Sequence, residues 1–524
     1  MNWKSILVLI GLLGLASHAF AENLYIGQSA AGADDGSSCA NQKAITFFNT
    51  AGNWGVGANK ISAGDTAYLC GTITTALTVQ GSGTSGNVIT ISPAQAQTTT
   101  IDATGLVNGI IQIGSQSYIT IDGVTGDKVV GDTAYTMIIN NLAGTAGSNA
   151  YGVHNVTGSN LIVKHVKIIE TGTTDSPNDN SGGVYIVTPG TVGHEIAYNW
   201  VTGTSAPNKD GMGLTCFTGG GIGTSFTSGC QVHHNYIEYR LDDGIRCDSN
   251  CSIYNNYVKE IGGSGHSDGI ICQSGNYCAV YNNTMDNGAE IYLDNIANTT
   301  KGPLRVYNNV FWDHDGGASF GIEIIAEGGT SSSWNDVVIA NNTFDIEAAP
   351  IRGSSNNTNL GVTNLVVLNN IMGAPSQNYT QLSAASGAPW SFASSTALDY
   401  NAYQLGGAQS PNIYSVNGVT ATLAQLRAQS PSRETNGKTG SPTFVSASTG
   451  DFHLSGSDTV ALNAGVDLSA TYTFLASDKD GVARSGVWEL GAYQFVSDTT
   501  PPAAPTGITI SQPSAPTNLH LVRD

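Results

Sequence analysis

Three Asp-Gly pairs, Asp210-Gly211, Asp243-Gly244 and Asp268-Gly269, each open a short β-forming segment. Asp242 precedes the second pair, His266 lies two residues before the third, and Arg246 follows Asp243. Neighbouring carboxylates raise one another's pKa, so one can keep a proton near neutral pH while another stays ionised. Carboxyl pairs of this kind cleave glycosidic bonds, with retention when ~5–5.5 Å apart and inversion at ~6.5–9.5 Å. The same oxygens could instead bind Ca2+, and Asp-Gly is also ordinary corner chemistry. Asp210, Asp242, Asp243 and Asp268, with His266 and Arg246, are therefore the candidate catalytic set.

A second acidic series is Asp248, Glu290, Asp294, Glu323 and Glu327. Strand alternation turns Glu290, Tyr292 and Asp294 away from the core. These carboxylates are either a solvated face or ligands for Ca2+. In the latter case the cation would neutralise a uronate while Arg246 or Lys209 abstracts its C5 proton. No cofactor is required if the reaction is hydrolysis, and Ca2+ is expected if it is elimination. Lys209, Tyr292 and Trp312 are candidate substrate-binding residues, the two aromatic rings as surfaces on which sugars stack.

The elements that must position these groups are announced by a returning phrase. It reads Gln231-Val-His-His-Asn235, Ser252-Ile-Tyr-Asn-Asn256, Ala279-Val-Tyr-Asn-Asn283, Arg305-Val-Tyr-Asn-Asn309, Val338-Ile-Ala-Asn-Asn342 and Val366-Val-Leu-Asn-Asn370, with a weaker copy at Glu195–Asn199. A period of roughly 20–50 residues signals a solenoid or propeller, because one copy cannot bury its own apolar face. A second strand follows in each unit, as in Gly244–Cys247, Gly269–Cys272 and Glu290–Leu293. Glycine and asparagine separate the strands, and long helical patterns are absent. Parallel strands joined by tight corners give an all-β, single-stranded β-helix solenoid. The final Asn of each phrase fits an internal ladder at one corner, bonded to the backbone of the next coil. Aligned coils would place Asp210 and Asp243 ~5 Å apart and Asp210 and Asp268 ~10 Å apart.

Residues 1–21 read as a signal peptide, with Lys4, an apolar stretch from Ile6 to Ala16 and the small-x-small site Ala19-Phe-Ala21. No later apolar run is long enough to span a membrane. A secreted protein, periplasmic or extracellular, is expected. Residues 22–75 form an N-terminal cap, including a helix over Cys39–Ala51. Residues 76–373 form the β-helix core. Residues 374–495 hold irregular C-terminal coils and a cap, with a helix near Leu423–Ala428. Residues 496–524 are a Pro-rich tail.

The net charge of −20 argues against nucleic acid and anionic membranes, since such partners need cations that displace counterions. The expected partner is a polysaccharide and the chain is expected to act as a monomer. The eight cysteines suit an exported protein. Their spacing suggests Cys39–Cys70, Cys216–Cys230, Cys247–Cys251 and Cys272–Cys278. Pairing between neighbouring coils is the alternative, because Cys230, Cys251 and Cys278 occupy equivalent positions.

The phrases, together with Ile26-Gly-Gln-Ser-Ala-Ala-Gly-Ala-Asp34, Gly81–Thr90 and the ending Asp478-Lys-Asp-Gly481 to Glu489-Leu-Gly-Ala-Tyr493, resemble bacterial right-handed parallel β-helix proteins of the pectate-lyase-like fold. That scaffold carries hydrolases, lyases and non-catalytic binding proteins. Asn208-Lys-Asp-Gly211, Asp242-Asp243 and Gly263-Ser-Gly-His-Ser267 also resemble the three motifs of the polygalacturonase-type hydrolases. The resemblance implies acid and base roles for Asp210, Asp242 and Asp243 and a positioning role for His266. Lys209 departs from the Thr of that pattern and Ser267 from its Gly. A secreted polysaccharide hydrolase is the leading expectation, a Ca2+-dependent uronate lyase the second, and a non-catalytic carbohydrate-binding or adhesin protein the third.

Overall fold

Each returning phrase is a strand of one long parallel sheet. Cys230–His233, Cys251–Tyr254, Cys278–Tyr281 and Leu304–Tyr307 are successive rungs, with Val232, Ile253, Val280 and Val306 in register and buried. The computed structural model describes residues 22–496, apart from 104–108, 142–150, 171–181, 188–189, 204–211, 217–227, 241–242, 262–267, 274–275, 297–298, 314–319, 326–331, 354–360, 374–379, 385–389 and 406–411. The signal-peptide stretch, Lys209, Asp210, Asp242, His266, Glu327 and nearly all of the Pro-rich tail lie outside the described residues.

A coil contains three strands. From the first sheet the chain turns a tight corner into a second sheet, as in Tyr257–Ile261, then enters a third, as in Ile270–Gln273, and returns to the first. All three sheets are parallel along nearly their whole length, and the chain is a right-handed parallel β-helix, the hand that connections between parallel strands take. Alternation gives each strand one inward set of side chains. Val258, Met285 and Phe311 from the second sheet meet Ile245, Ile270 and Ile291 from the third and the valines and isoleucines of the first in one continuous core. Among the described residues no helix is long and apolar enough to cross a membrane.

The paired asparagines of the phrase have two separate physical causes. The first of each pair adopts the left-handed backbone, with φ of 53–57° from His234 through Asn255, Asn282, Asn308, Asn341 and Asn369. Asn tolerates that region better than most residues. The second forms the ladder. Asn199, Asn235, Asn256, Asn283, Asn309, Asn342, Asn370 and Asn401 each donate from Nδ2 to a carbonyl of the preceding coil, such as Ile253 O for Asn283. Each Oδ1 from Asn235 onward accepts both N–H and Nδ2–H of the ladder Asn before it, the latter at 3.0–3.1 Å. The backbone contact thus runs backwards along the solenoid, opposite to the expected direction. Glu434 ends the ladder, accepting from Asn401 Nδ2 at 2.7 Å and from the Tyr403 hydroxyl at 2.6 Å.

The four disulfides are the within-coil set. Cys216, Cys247 and Cys272 form one inward column and Cys230, Cys251 and Cys278 another, on either side of the corner between the third and first sheets. The bonds cross that corner inside each coil, with Cα separations of 6.4–6.6 Å, and Cys39–Cys70 closes the N-terminal end. Pairing between coils does not occur. The set is the chemistry of a protein folded in an oxidising compartment.

The ends differ from the expected outline. Residues 22–75 do not stand apart from the solenoid, because Asn23–Gly27 pairs in parallel with Thr66–Cys70 as its first rung. The expected helix over Cys39–Ala51 is broken into a 3-10 turn Cys39–Asn41, the short strand Lys43–Ala44 and the helix Ile45–Phe48. Lys43–Ala44 pairs with the open edge of the first rung. Satisfying those edge groups outweighs helix propensity. At the far end an antiparallel hairpin, Asn412–Val416 with Val419–Thr422, closes the third sheet. The helix Leu423–Arg427 follows on a capping box formed by Thr422 and Gln425. Residues beyond 441 fold back over the corner between the first and second sheets. Asn308 Nδ2 donates to Ser477 O, Asn369 Nδ2 to Val466 O, and Lys479 Nζ to Asn282 O. The left-handed asparagines thereby anchor the returning segment.

Candidate active site

The outer face of the third sheet carries the acidic residues singled out from the sequence. Strand register stacks Arg246, Ile271, Tyr292, Glu323 and Arg352 in one outward column. Gln273 and Asp294 form a parallel column nearer the corner to the first sheet. At the opposite end of the strands, Gly213 N–H donates to Asp243 O and Gly244 N–H to Asp268 O, each at 2.8 Å. Asp243 and Asp268 are therefore equivalent residues of successive coils, as expected.

Leu214 pairs with Ile245, which sets Gly213 opposite Gly244 and Met212 opposite Asp243, and Asp210 lies outside the described residues. A Cβ on Gly213 would come within 2.2 Å of Gly244 O and within 3.1 Å of the Ile237 side chain, so glycine is required at this inward position.

Two polar networks occupy the face. In the first, Arg246 Nη1 donates to Asp243 Oδ2 at 3.1 Å and Nη2 to Gln273 Oε1 at 2.5 Å. Gln273 Nε2 donates in turn to Asp294 Oδ2 at 3.3 Å. Three coils are tied together, and both carboxylates are buried, at 0% and 1% exposure. Asp248 lies beside this network. Burial raises its carboxyl to about 6, against the opposing pull of Lys301 and Arg246.

In the second network Asp268 and Glu290 share a hydrogen bond between their carboxyl groups. Burial pushes Glu290 up to about 9, and the charge of Asp268, their hydrogen bond and the charge of Glu323 push the same way, while Arg352 opposes them. Glu323 accepts from Arg352 Nη2 at 2.5 Å, and the guanidinium lies 3.1 Å from the Phe320 ring centroid. At neutral pH Glu290 keeps its proton, hydrogen-bonded to Asp268 and beside Glu323, which is neutralised by Arg352. Such an arrangement can deliver a proton to an oxygen that becomes a leaving group.

Glu290, one of the expected cation ligands, is hydrogen-bonded to Asp268. The other described members also have different surroundings, Glu323 with Arg352, Asp294 with Gln273 and Asp248 at the corner. Among the described residues no three His, Cys, Asp or Glu side chains converge as a metal cage. Tyr292 is outward but only 8% exposed, packed with Ile271 and Ile325, and so offers no open face to a sugar. Trp312 belongs to the second sheet, between Asp286 and Asp345, and lies against Phe452 of the returning segment. Tyr292 and Trp312, paired from the sequence as sugar-stacking candidates, therefore lie on different sheets. Gln273, Arg352 and Phe320 were missed. Extending the outward alternation by one coil in each direction would have found the first two.

These features define a parallel β-helix protein with an enclosed carboxyl cluster on one sheet face. No protein-family model matches the chain, and no curated protein is similar to it in sequence. Solved structures match its fold. The complex of XylC with xylose is 9% identical with a TM-score of 0.49, covering 91% of this chain and 98% of that one. The native GH136 lacto-N-biosidase from Eubacterium ramulus is 12% identical, with a TM-score of 0.46, over 71% and 67%. Pectate lyase Pel9A is 13% identical, with a TM-score of 0.41, over 91% and 97%. At such identities the likeness is one of fold.

Proposed function

We propose that the chain is an exported carbohydrate-active enzyme that hydrolyses glycosidic bonds on the outer face of the third sheet. The proton that Glu290 keeps, hydrogen-bonded to Asp268, carries this reading. Glu290 passes its proton to the glycosidic oxygen as the C–O bond breaks, and Asp268 keeps that proton in place until then. Water adds at the anomeric carbon and gives up its proton to a carboxylate. Asp243, two coils from Glu290 and hydrogen-bonded to Arg246, is the carboxylate assigned to that side. Two coils are ~10 Å along the axis, close to the ~6.5–9.5 Å of inverting pairs once side chains lean inward. Inversion of the anomeric configuration is the expected outcome. The four disulfides support a site of action outside the cytoplasm.

One observation favours a second reading. Asp268 and Glu290 lie together, and a group that takes and returns a proton on one side of a sugar also suits β-elimination from a uronate, with Ca2+ as the charge-neutralising ion. Incubation with a panel of plant, algal and bacterial polysaccharides separates the two. New reducing ends without ultraviolet absorbance mean hydrolysis, and unsaturated uronate absorbance with EDTA sensitivity means elimination. Glu290→Gln should lower turnover by about 10²–10⁴-fold, the usual contribution of a general acid. Turnover unchanged in that variant would refute the assignment.

A further inference from the structure

We propose that the returning C-terminal segment carries a second carbohydrate site, separate from the third-sheet face, that binds one unit of an uncharged sugar without cleaving it. The hairpin Phe444–Ser446 and Asp451–Leu454 and residues Gln494–Val496 together line an open cleft of about 810 Å³. Its walls combine apolar and hydrogen-bonding groups as sugar pockets do. Phe444, Leu454 and Phe495 supply the apolar part, and Asp451, His453 and Gln494 the polar part. A Cβ on Gly456 would stand 3.3 Å from the Phe495 ring, so the absence of a side chain there lets the ring lie close to the backbone.

The polar groups are held in advance of any ligand. His453 bridges two carboxylates, Nδ1 to Asp451 Oδ1 at 2.7 Å and Nε2 to Asp480 Oδ2 at 2.9 Å, and packs on Tyr493 with ring centres 4.0 Å apart. The two hydrogen bonds keep the imidazole protonated to about pH 9. Each carboxylate uses one oxygen on the imidazole and, among the described residues, leaves the other open to a ligand hydroxyl. Asp478 fixes the opposite wall by accepting from the backbone N–H of Gln494 at 2.8 Å. Gln494, 9% exposed, completes the same wall.

Charge selects among sugars. Asp451 and Asp480 flank one imidazolium, and the carboxylate oxygens they leave open disfavour uronates and sulfated units. The two half-buried phenylalanine rings suit the C–H face of a neutral pyranose. The site involves none of the groups assigned to cleavage, so it stands or falls independently of the proposed reaction.

The full-length protein should be titrated by calorimetry or saturation-transfer NMR with methyl glycosides of glucose, galactose and xylose, and with galacturonic acid. At least one neutral glycoside should bind, and galacturonic acid should not. Phe495→Ala should weaken binding by about tenfold or more, as should the milder Asp451→Asn, checked for an unchanged melting curve. Glu290→Gln should leave this binding intact. Failure of every neutral glycoside to bind, preference for galacturonic acid, or binding indifferent to both cavity variants but lost in Glu290→Gln would each overturn the proposal.

Discussion

The carboxyl of Glu434 closes the asparagine ladder, taking the hydrogen bond of Asn401 Nδ2 at 2.7 Å where the next asparagine would otherwise stand. The group is fully buried, and desolvation raises it to about 7 despite the hydrogen bonds from Tyr403 and Asn401. A carboxyl raised on folding stabilises the protein in its protonated form. That stability is complete below the unfolded value near 4.5 and is lost as pH rises through 7. Glu434→Gln keeps an acceptor for Asn401 and removes the titration. The melting temperature of the native protein should fall relative to the variant between about pH 5 and 8, by a free energy on the order of 3 kcal/mol. Parallel melting curves across that range would show that Glu434 does not titrate there.

Asn282 and Asn283 are adjacent and chemically identical, yet they should respond oppositely to glycine. Asn282 has φ of 57°, a conformation glycine adopts freely, so Asn282→Gly should change stability by less than about 1 kcal/mol. Asn283→Gly removes the acceptor of Asn256 N–H and Nδ2–H and the donor to Ile253 O. Buried partners left unpaired cost about 1–3 kcal/mol each, so urea unfolding should show a loss on the order of 3 kcal/mol.

Arg352 lowers the pKa of Glu290 and neutralises Glu323. Its removal takes away the first effect and strengthens the repulsion from Glu323, and both push Glu290 upward. In the native enzyme activity should decline on the alkaline side near the Glu290 value of about 9 as the proton is lost. In Arg352→Met that alkaline limb should move to higher pH in a kcat/KM profile. A limb that stays in place would assign the titration to another group.

The disulfides should differ in worth according to the chain they close. Cys39–Cys70 spans 31 residues and Cys247–Cys251 only 4. Loop-closure entropy gives ~4 kcal/mol for the first and ~2 kcal/mol for the second. Replacing each pair by alanine and comparing guanidinium midpoints checks the order.

Much of the solenoid was legible because its physics is local and repeated. The double asparagine, the inward valine and isoleucine of each phrase and the cysteines flanking the third-to-first corner recur with the coil, so the ladder corner and the disulfides could be read from spacing. Asn401 escaped because Leu398-Asp-Tyr-Asn401 keeps only the last residue of the phrase, and Glu434 because a carboxyl does not look like an asparagine. Site residues were harder. Asp243 and Asp268 each stand two residues before the paired Ile245 and Ile270, but lie 8 and 12 residues after the Asn of their phrases, so phrase spacing alone does not align them.

By itself the sequence determined that this chain must stack parallel β coils, which corner the ladder follows and which cysteines meet, since each depends on residues repeated at nearly constant spacing. Only the tertiary structure decided that Glu290 hydrogen-bonds to Asp268, that Trp312 lies on another face, and that the C-terminal segment returns over the asparagine corner. The reason is geometric. Coils of unequal length place side chains far apart in sequence on the same few ångströms of surface, and strand register, invisible in composition, decides which carboxyls touch.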